Sequence, residues 1–387
     1  MRLRRRAAGL TLGAAILFVI GTNAQAGWLF VLAALLLGTV VAGIVVPLVG
    51  LRGLDVELSA PAETRQGDDV TVRLTITNRG RAVRWGVVAR DEHIGGSTAF
   101  VGAIRPGERV EVGTVRNAPR RGEARTAWVE LRSAAPFGVA ERRRRLPADA
   151  TTLVLPRVVA LGALPFVDLA SSREATTETD PRRGQGPEYL GVREYRPGDP
   201  IRQVHWRLTA RHGELVVRDL EEHRVPRLAI WIDSATDADT LDDVCSAAAS
   251  IASSASATGV GVRLAAATPQ GPTVVSRSST LALHRWLARV VASDVPAATA
   301  IGWLAGDAVR GVGTLVAIAP ADAIDDDGGA ALAALARAIP WVVLVTIGAG
   351  ASSPSVPDGV DVYPWFGTDG FGALVSPPAA DRVGARP

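Results

Sequence analysis

Cysteine and lysine are nearly missing from this chain: its 387 residues include one cysteine, Cys245, and no lysine. A single cysteine excludes an intramolecular disulfide, which agrees with a reducing compartment. The combined number of lysines and arginines is 42, so all 42 are arginines, yet the formal net charge is only +3. This charge is too small to indicate a nucleic-acid-binding protein. We therefore expect no nucleic-acid partner.

Three chemical signatures are also missing. The sequence contains no Gly-x-Ser-x-Gly run, which is the nucleophile elbow of many hydrolases. The turn DSATDADT, which follows the first strand of the C-terminal half, has no glycine, and this argues against a dinucleotide or P-loop phosphate site. The five histidines show no metal-ligand spacing. Cys245 lies in an apolar helical pattern typical of a packing residue. We predict that the protein is not an enzyme.

Charge is absent from Ala7 through Leu51, a run long enough for two helices of ~20 residues, the length that crosses a bilayer core. We predict spans at about Ala7–Gly21, which is short unless the helix extends into the uncharged TNAQAG, and at Trp28–Gly50, with residues 7–50 in the lipid bilayer. The preceding arginines at positions 2, 4, 5 and 6 place the N-terminus in the cytoplasm by the positive-inside rule. The expected location is the cell membrane, as a multi-pass protein with both termini cytoplasmic.

An alternative for the N-terminus is a secretory signal peptide, because Ala24-Gln25-Ala26 resembles a cleavage site. The second span would still return the chain to the cytoplasm. The predicted membrane anchor of two transmembrane helices therefore covers residues 1–51.

Short alternating segments recur between Leu54 and Arg157, among them DVTVRLTITN, WGVVARD and TAWVELRS, with turn residues such as NRG and RPGE between them. Alternation with a period of two indicates antiparallel strands, and the regular spacing predicts an immunoglobulin-like β-sandwich over residues 52–160. The basic run from Glu141 to Arg145 has two interpretations. It is either a patch for anionic lipid or, more simply, a solvated strand or loop.

Strands alternate with helical patterns in residues 225–387. RLAIWID, VGVRLAAAT, GTLVAIAP and WVVLVTIG are predicted strands, PTVVSRS is a candidate antiparallel edge strand, and TLDDVCSAAASIASSASATG is a predicted helix. Such alternation predicts a doubly wound, largely parallel α/β domain with an irregular C-terminal tail. Residues 161–224 are predicted to be a linker followed by a motif segment. The fold class is thus α/β plus all-β, after a transmembrane helical hairpin.

The acidic turn at Asp233 resembles the metal motif of von Willebrand factor type A domains, in which Asp-x-Ser-x-Ser helps to hold Mg²⁺ through oxygen ligands. Here Asp233 fills the carboxylate position, but Ala235 and Asp237 stand at the two hydroxyl positions. Asp237 also suits a helix N-cap. Asp233 is therefore a degenerate metal position, and we expect no cofactor, with Mg²⁺ as the open alternative.

The run REYRPGDPIRQVHWRLTARHGELVVRDLEEH resembles the signature of the domain of unknown function 58 family, which combines this motif with a C-terminal von Willebrand type A-like domain. The matching motif residues of this chain that we predict to bind a partner or to clamp two domains together are Arg193, Tyr195, Gly198, Asp199, Arg202, His205, Trp206 and Arg211. Arginine heads that pair with carboxylates and a packed indole are suited to either role.

This resemblance implies a function that the residues alone do not. Family members look like accessory partners of MoxR-type AAA+ ATPases, so the chain is expected to be a non-enzymatic, membrane-anchored, cytoplasm-facing adaptor in chaperone-like or envelope-related assembly. Two alternatives stay open: a metal-dependent protein-binding module of the von Willebrand type A kind and, more remotely, a hydrolase. The sequence leaves the cargo and the oligomeric state undetermined.

Overall fold

The computed structural model describes residues 2–3, 5–167, 189–195, 204–220, 228–268, 271–276, 279–304, 309, 312–348 and 358–371. The chain divides into two compact units, Met1–Arg157 and Val158–Pro387. The first unit contains both N-terminal helices and largely antiparallel sheets, and the second contains a largely parallel sheet.

The two N-terminal helices are α1, Arg5–Ala24, and α2, Gly27–Gly50. Both are long and apolar enough to cross a membrane, with mean hydropathies of 1.7 and 2.8 over their apolar parts. Helix α1 extends beyond the predicted end at Gly21. The polar residues Thr22 and Asn23 continue the helix because their side chains donate hydrogen bonds to carbonyls four residues earlier, at 2.6 and 3.0 Å.

The remaining elements of the first unit are strands in two sheets. A three-stranded sheet has the order β2-β4-β7, and a larger sheet has the order β1-β9-β8-β5-β6, with β3 also paired to β9. The strands are β1 Arg2–Leu3, β2 Leu54–Ser59, β3 Glu63–Arg65, β4 Asp69–Asn78, β5 Arg84–Asp91, β6 Ser97–Ile104, β7 Arg109–Asn117, β8 Gly122–Ser133 and β9 Ala140–Leu155.

The core between these sheets follows the alternation seen in the sequence. In β4, Val70, Val72, Leu74 and Ile76 are buried at every second position, while the intervening side chains from Asp69 to Arg73 are exposed. Buried residues of β5, β8 and β9 join the same hydrophobic cluster. At ~25 cal/mol per Å² of apolar surface, this shared burial is the main force that holds the two sheets together.

A polar network is buried beside this core. The guanidinium of Arg116 forms a bidentate ion pair with Asp91, with Nη2 2.8 Å from Oδ2, and both side chains are almost fully buried. Thr152 donates its hydroxyl proton to the carbonyl of Pro61 at 2.8 Å, so Nε2 of His93 donates to Thr152 at 3.0 Å. Burial, and then the charge of Arg116, lower the pKa of His93 against the opposing effect of Asp91.

The second unit contains a six-stranded sheet with the order β14-β13-β12-β15-β16-β17. Neighbouring strands from β13 to β17 are parallel, and β14 is antiparallel, which confirms the edge strand predicted from PTVVSRS. The strands are β12 Leu228–Ile232, β13 Val262–Thr268, β14 Gly271–Ser276, β15 Thr314–Pro320, β16 Trp341–Ile347 and β17 Val360–Trp365. A separate two-stranded sheet joins β10, Tyr189–Glu194, to β11, Val216–Leu220.

Helices cover both faces of the six-stranded sheet. Its four inner strands, β12, β13, β15 and β16, are buried on both sides and are therefore almost continuously apolar, as parallel strands in such a sheet usually are. Leu228 and Ile230 belong to one hydrophobic cluster, and Ala229 and Trp231 belong to the cluster on the opposite face. The helices are α3 Trp206–His212, α4 Ala238–Ala257, α5 Thr280–Arg289, α6 Ala297–Leu304 and α7 Asp326–Ala336.

Candidate functional site

The motif segment folds as a strand, a short helix and a return strand. Backbone hydrogen bonds join Tyr195 N to Leu215 O at 2.8 Å and His205 N to Val216 O at 2.7 Å. The hydroxyl of Thr209 accepts from Val216 N at 3.1 Å, which ties α3 to the start of β11. Helix α3 is therefore fixed to its two-stranded sheet by main-chain contacts and one side chain.

His205 forms the N-cap of α3. Its Nδ1 accepts a hydrogen bond from Leu208 N at 3.4 Å, and this satisfies one of the amide groups that a helix leaves unpaired at its first turn. Gly213 ends the helix with a φ of 77°, and its amide donates to Thr209 O at 2.9 Å. A left-handed C-terminal residue of this kind favours glycine. The ring of His205 thus has a structural role at the start of α3.

Helix α3 exposes an aromatic ring and two cations. Trp206 is 62% exposed, and Arg207 and Arg211 are also exposed. Val204 and Val216, which flank the helix in sequence, are buried. We call Trp206, Arg207 and Arg211 the docking face. The predicted set includes Trp206 and Arg211 but not Arg207, and the indole, which we expected to be packed, is largely exposed.

The structure describes only part of the predicted set. Tyr195, His205, Trp206 and Arg211 lie within the described segments, with Tyr195 at the end of β10 and the others on or beside α3. The backbone of Arg193 lies in β10 opposite Val217, and its side chain falls outside the description. The remaining three predicted residues lie outside the described part of the chain; they are Gly198, Asp199 and Arg202.

The acidic turn lies at the carboxyl end of β12. Asp233 is 1% exposed, its amide donates to Ile318 O at 2.8 Å, and its Oδ1 accepts from Ala235 N at 2.9 Å. Its Oδ2 is buried without a hydrogen-bond partner among the described residues. Burial raises the pKa of Asp233, and the hydrogen bond from the Ala235 amide opposes this shift. The environment therefore shifts the balance of this carboxyl group toward the neutral acid.

The other positions of the degenerate metal motif do not add free oxygen ligands. Asp237 is the N-cap of α4: Oδ1 accepts from Asp239 N at 2.9 Å and Thr240 N at 3.1 Å, and Oδ2 accepts from the Thr240 hydroxyl at 2.6 Å. Ala235 has no side-chain oxygen. No group of three or more His, Cys, Asp or Glu residues that could hold a metal occurs within the described ranges. The turn is accounted for by backbone geometry and helix capping.

Two reactive side-chain types lie in the helical layer of the second unit. Cys245, a residue of α4, is fully buried in the hydrophobic core. The Oγ of Ser253 lies 3.0 Å from Nε2 of His284, but this hydroxyl donates to its own helix at the carbonyl of Ala249, at 2.7 Å. The hydroxyl proton is therefore not directed at the imidazole, as a serine nucleophile with its base requires. Both features are explained by packing.

Comparisons with known proteins support one family. Residues 191–337 match the family described as protein of unknown function DUF58. This match covers the motif segment and much of the six-stranded sheet, and it agrees with the resemblance seen in the sequence. A search of curated proteins finds no match.

Solved structures resemble short parts of the chain at low identity. The CARDB domain of PF1109 from Pyrococcus furiosus shares 12% identity over 25% of this chain and 94% of its own, with a TM-score of 0.19. The PKD domain of an M14-like peptidase from Thermoplasmatales archaeon SCGC AB-540-F20 shares 12% identity over 26% of this chain and 91% of its own, with a TM-score of 0.18. A β-glucosidase from Listeria innocua shares 16% identity over 26% of this chain and 16% of its own, with a TM-score of 0.17.

Proposed function

We propose that the chain is a non-enzymatic, membrane-anchored adaptor whose docking face binds a protein partner on the cytoplasmic side. The partner class that follows from the family resemblance is a MoxR-type AAA+ ATPase, and the process is chaperone-like or envelope-related assembly. The observation that carries the proposal is the largely exposed indole of Trp206 on a short helix that also exposes Arg207 and Arg211.

Physical arguments favour this use of the docking face. Tryptophan and arginine dominate the energetics of many protein interfaces, because a large ring and a planar cation gain most when a partner removes water from them. The hydrogen bonds that hold α3 to β11 keep the backbone in place before binding, which reduces the entropy lost on association. An interdomain clamp remains the alternative role for the same residues.

Helices α1 and α2 supply the proposed anchor. In the proposed membrane orientation both helices cross the bilayer. The arginines before Ala7 keep the N-terminus in the cytoplasm, and the second crossing returns the chain after Leu51 to the same side. A von Willebrand type A-like identity for the second unit is also part of the proposal. It is consistent with a parallel sheet covered by helices on both faces, and the altered metal positions imply partner binding without Mg²⁺.

A binding experiment with the full-length protein in lipid nanodiscs tests the adaptor role. A MoxR-type ATPase from the same genome is held in its ATP-bound state, and its affinity is measured for wild type, Trp206→Ala and Phe366→Ala. Phe366 is a matched control because it is an exposed aromatic residue of the second unit, at 45% exposure. Loss of a binding hot spot predicts a decrease of about 30-fold or more for Trp206→Ala, with no change for Phe366→Ala.

The other results of this experiment have defined meanings. If wild type and Trp206→Ala bind the ATPase with equal affinity, the docking face does not bind this partner, and the interdomain clamp becomes the better explanation. Absence of binding to wild type would remove the adaptor role. Asp199→Ala and Arg202→Ala, measured beside them, extend the test to the predicted residues outside the description.

A metal-dependent binding module is the second candidate, and one observation favours it: Oδ2 of Asp233 is buried without a partner among the described residues. If Mg²⁺ occupies this position, titration of the full-length protein releases or absorbs saturable heat that is lost in Asp233→Ala. A flat isotherm for wild type removes this candidate.

A further inference from the structure

The turn between β8 and β9 packs against the apolar helices of the same unit. We call residues 134–139 the hairpin tip. Val139 is fully buried and forms one hydrophobic cluster with Ala7 of α1 and Val40 of α2, with Leu10 and Ile44 packed against it. A side chain from the sandwich therefore reaches between two helices that are apolar enough to cross a membrane.

Glycine in α2 makes this close approach geometrically feasible. A Cβ added at Gly43 would lie 2.7 Å from the Cβ of Val139, so the backbone of the helix lies directly against the hairpin tip. Gly43 is about 10 Å before the end of α2 at Gly50, at 1.5 Å per residue. The hairpin tip thus contacts the helix within its apolar segment and not at its end.

The opposite side of the same helical segment is uncovered. Val41, Val45 and Val49 follow each other at helical spacing, and they are 54%, 50% and 41% exposed. Such a row of exposed valines requires an apolar environment. If lipid covers this row, the hairpin tip on the other side of α2 lies at the same depth in the bilayer boundary.

Two exposed aromatic residues lie next to this contact. Phe137, within the hairpin tip, is 48% exposed, and Trp85, at the start of β5, is 57% exposed. The carbonyl of Trp85 accepts a hydrogen bond from Ser133, the last residue of β8, which places Trp85 beside the hairpin tip. Aromatic side chains are enriched where the acyl region of a membrane meets the headgroups.

Arginines surround the same end of the sandwich. Arg84 donates to Val49 O at 2.9 Å and Arg144 donates to Leu51 O at 3.0 Å, so both bind the last carbonyls of α2 or the residue after it. Arg52 and Arg81 are exposed in the adjoining loops, where Gly53 lies against Gly80. Arg84 is itself buried. We therefore call the exposed residues Arg52, Arg81 and Arg144 the arginine collar.

We propose that the hairpin tip inserts into the membrane interface beside α2, with Phe137 at the boundary of the acyl chains, and that the arginine collar binds the phosphates of anionic lipid headgroups. Guanidinium groups pair with phosphate oxygens through two parallel hydrogen bonds, and basic residues at a cytoplasmic surface attract anionic lipid. The proposal rests on the membrane anchor in the proposed function. It adds a lipid-binding surface on the sandwich itself.

Site-directed fluorescence in lipid nanodiscs tests the insertion. Cys245→Ala removes the single native thiol, and Phe137→Cys or Val115→Cys then carries an environment-sensitive dye on the full-length protein. Val115 is a suitable control because it is 69% exposed on β7 and lies about 23 Å farther along the sheet from this end. We expect a blue shift and quenching by doxyl-labelled lipid at position 137, and neither effect at position 115.

Two results separate the insertion from the anchor. If the protein floats with vesicles but the dye at position 137 is not quenched by doxyl lipid, the insertion is wrong and the anchor stands. If the protein does not float with vesicles, the anchor and the insertion both fail.

Lipid selectivity tests the arginine collar. With dye at position 137, quenching by doxyl-labelled phosphatidylglycerol is compared with quenching by doxyl-labelled phosphatidylcholine. We expect phosphatidylglycerol to be preferred by about threefold or more in wild type, and this preference to disappear in Arg52→Gln/Arg81→Gln. The control variant, Arg73→Gln/Arg125→Gln, removes two exposed arginines away from the collar. The assignment to anionic lipid is overturned if the preference for phosphatidylglycerol is the same in both double variants, or if wild type shows no such preference.

Discussion

Replacement of Gly43 by alanine tests whether the sandwich is packed against α2. The new Cβ would lie 2.7 Å from Cβ and 2.8 Å from Cγ2 of Val139. Valine is β-branched, and its Cβ is fixed to the backbone, so rotation of the side chain cannot relieve the closer of these contacts. Gly38 is the matched control in the same helix, because a Cβ added there meets nothing within 4 Å.

The expected change in the free energy of unfolding follows from two opposing effects. Alanine is favoured over glycine in a helix by about 1 kcal/mol, and this gain is common to both variants. Overpacking of a close contact costs about 1–3 kcal/mol. The free energy of unfolding of Gly43→Ala is therefore expected to lie about 1–3 kcal/mol below that of Gly38→Ala. At about 2–4 °C per kcal/mol for a unit of this size, the unfolding temperature falls by about 2–12 °C relative to the control.

The assay is thermal unfolding of the full-length protein in lipid nanodiscs, followed by near-ultraviolet circular dichroism and by tryptic cleavage at Arg52. Gly43→Ala is also measured in a Val139→Gly background, in which the clashing Cβ is gone. The two substitutions should then be non-additive by about 1–3 kcal/mol, as expected for residues in direct contact. Equal stability of Gly43→Ala and Gly38→Ala, or additive effects in the double variant, would refute the packing of the hairpin tip on α2.

Three further predictions concern buried ionisable groups. Arg116→Ala should lower the free energy of unfolding by about 3–5 kcal/mol because it leaves Asp91 buried without its partner, whereas Arg109→Ala, which breaks an exposed pair, should cost about 1 kcal/mol or less in the same denaturant titration. The pKa of His93 is lowered in the folded state, so stability present above about pH 6.5 should be lost as the pH falls through the folded pKa, and His93→Gln should abolish this acid sensitivity. The pKa of Asp233 is raised, so its contribution is full below its ordinary value of 3.8 and is lost as the pH rises through the folded pKa. Asp233→Asn should therefore unfold at a higher temperature than wild type at neutral pH, a difference that disappears near pH 4, and Mg²⁺-dependent stabilisation of wild type would contradict this explanation.

Periodicity was sufficient to predict most of the strands and the helical pair. The alternation of Val70, Val72, Leu74 and Ile76 indicates a strand with one buried face, and the structure places these residues in the sandwich core. The uncharged run before Leu51 also predicts two apolar helices. These features were predictable because hydrophobic period depends on local secondary structure and on which face is buried.

Helix α6 and strand β17 are among the elements of the second unit that were not identified from the sequence. Helix α6 has only eight residues, which is too short for its apolar period to distinguish a helix from a strand. Strand β17 contains Pro364, which lacks an amide donor and is usually a sign against a strand. It is accommodated because β17 is an edge strand that pairs on one side only, with β16. Whether a strand lies at the edge depends on the complete sheet, so the local sequence pattern does not indicate it.

The candidate site was also predictable from the sequence only in part. The motif identified Trp206 and Arg211 by residue type, but the exposure of the indole depends on what packs beside α3, which no spacing specifies. The cap formed by His205 was not predicted either, because histidine is not among the usual N-cap residues. Arg207 could have been predicted to be exposed from its charge alone, since arginine is rarely buried without a partner.

The junction between α2 and the sandwich bears on how the proposed adaptor would work. Only Leu51, Arg52 and Gly53 separate the end of α2 from β2, and Leu51 is 1% exposed. Arg84 and Arg144 bind carbonyls at this junction, and the hairpin tip packs on the helix above it. A flexible linker would let the sandwich sample a volume that grows with linker length, whereas these contacts hold it against the helix. In the proposed orientation the sandwich therefore stands at a fixed height and angle on the membrane, and the entropy of a tether is already lost before any partner binds.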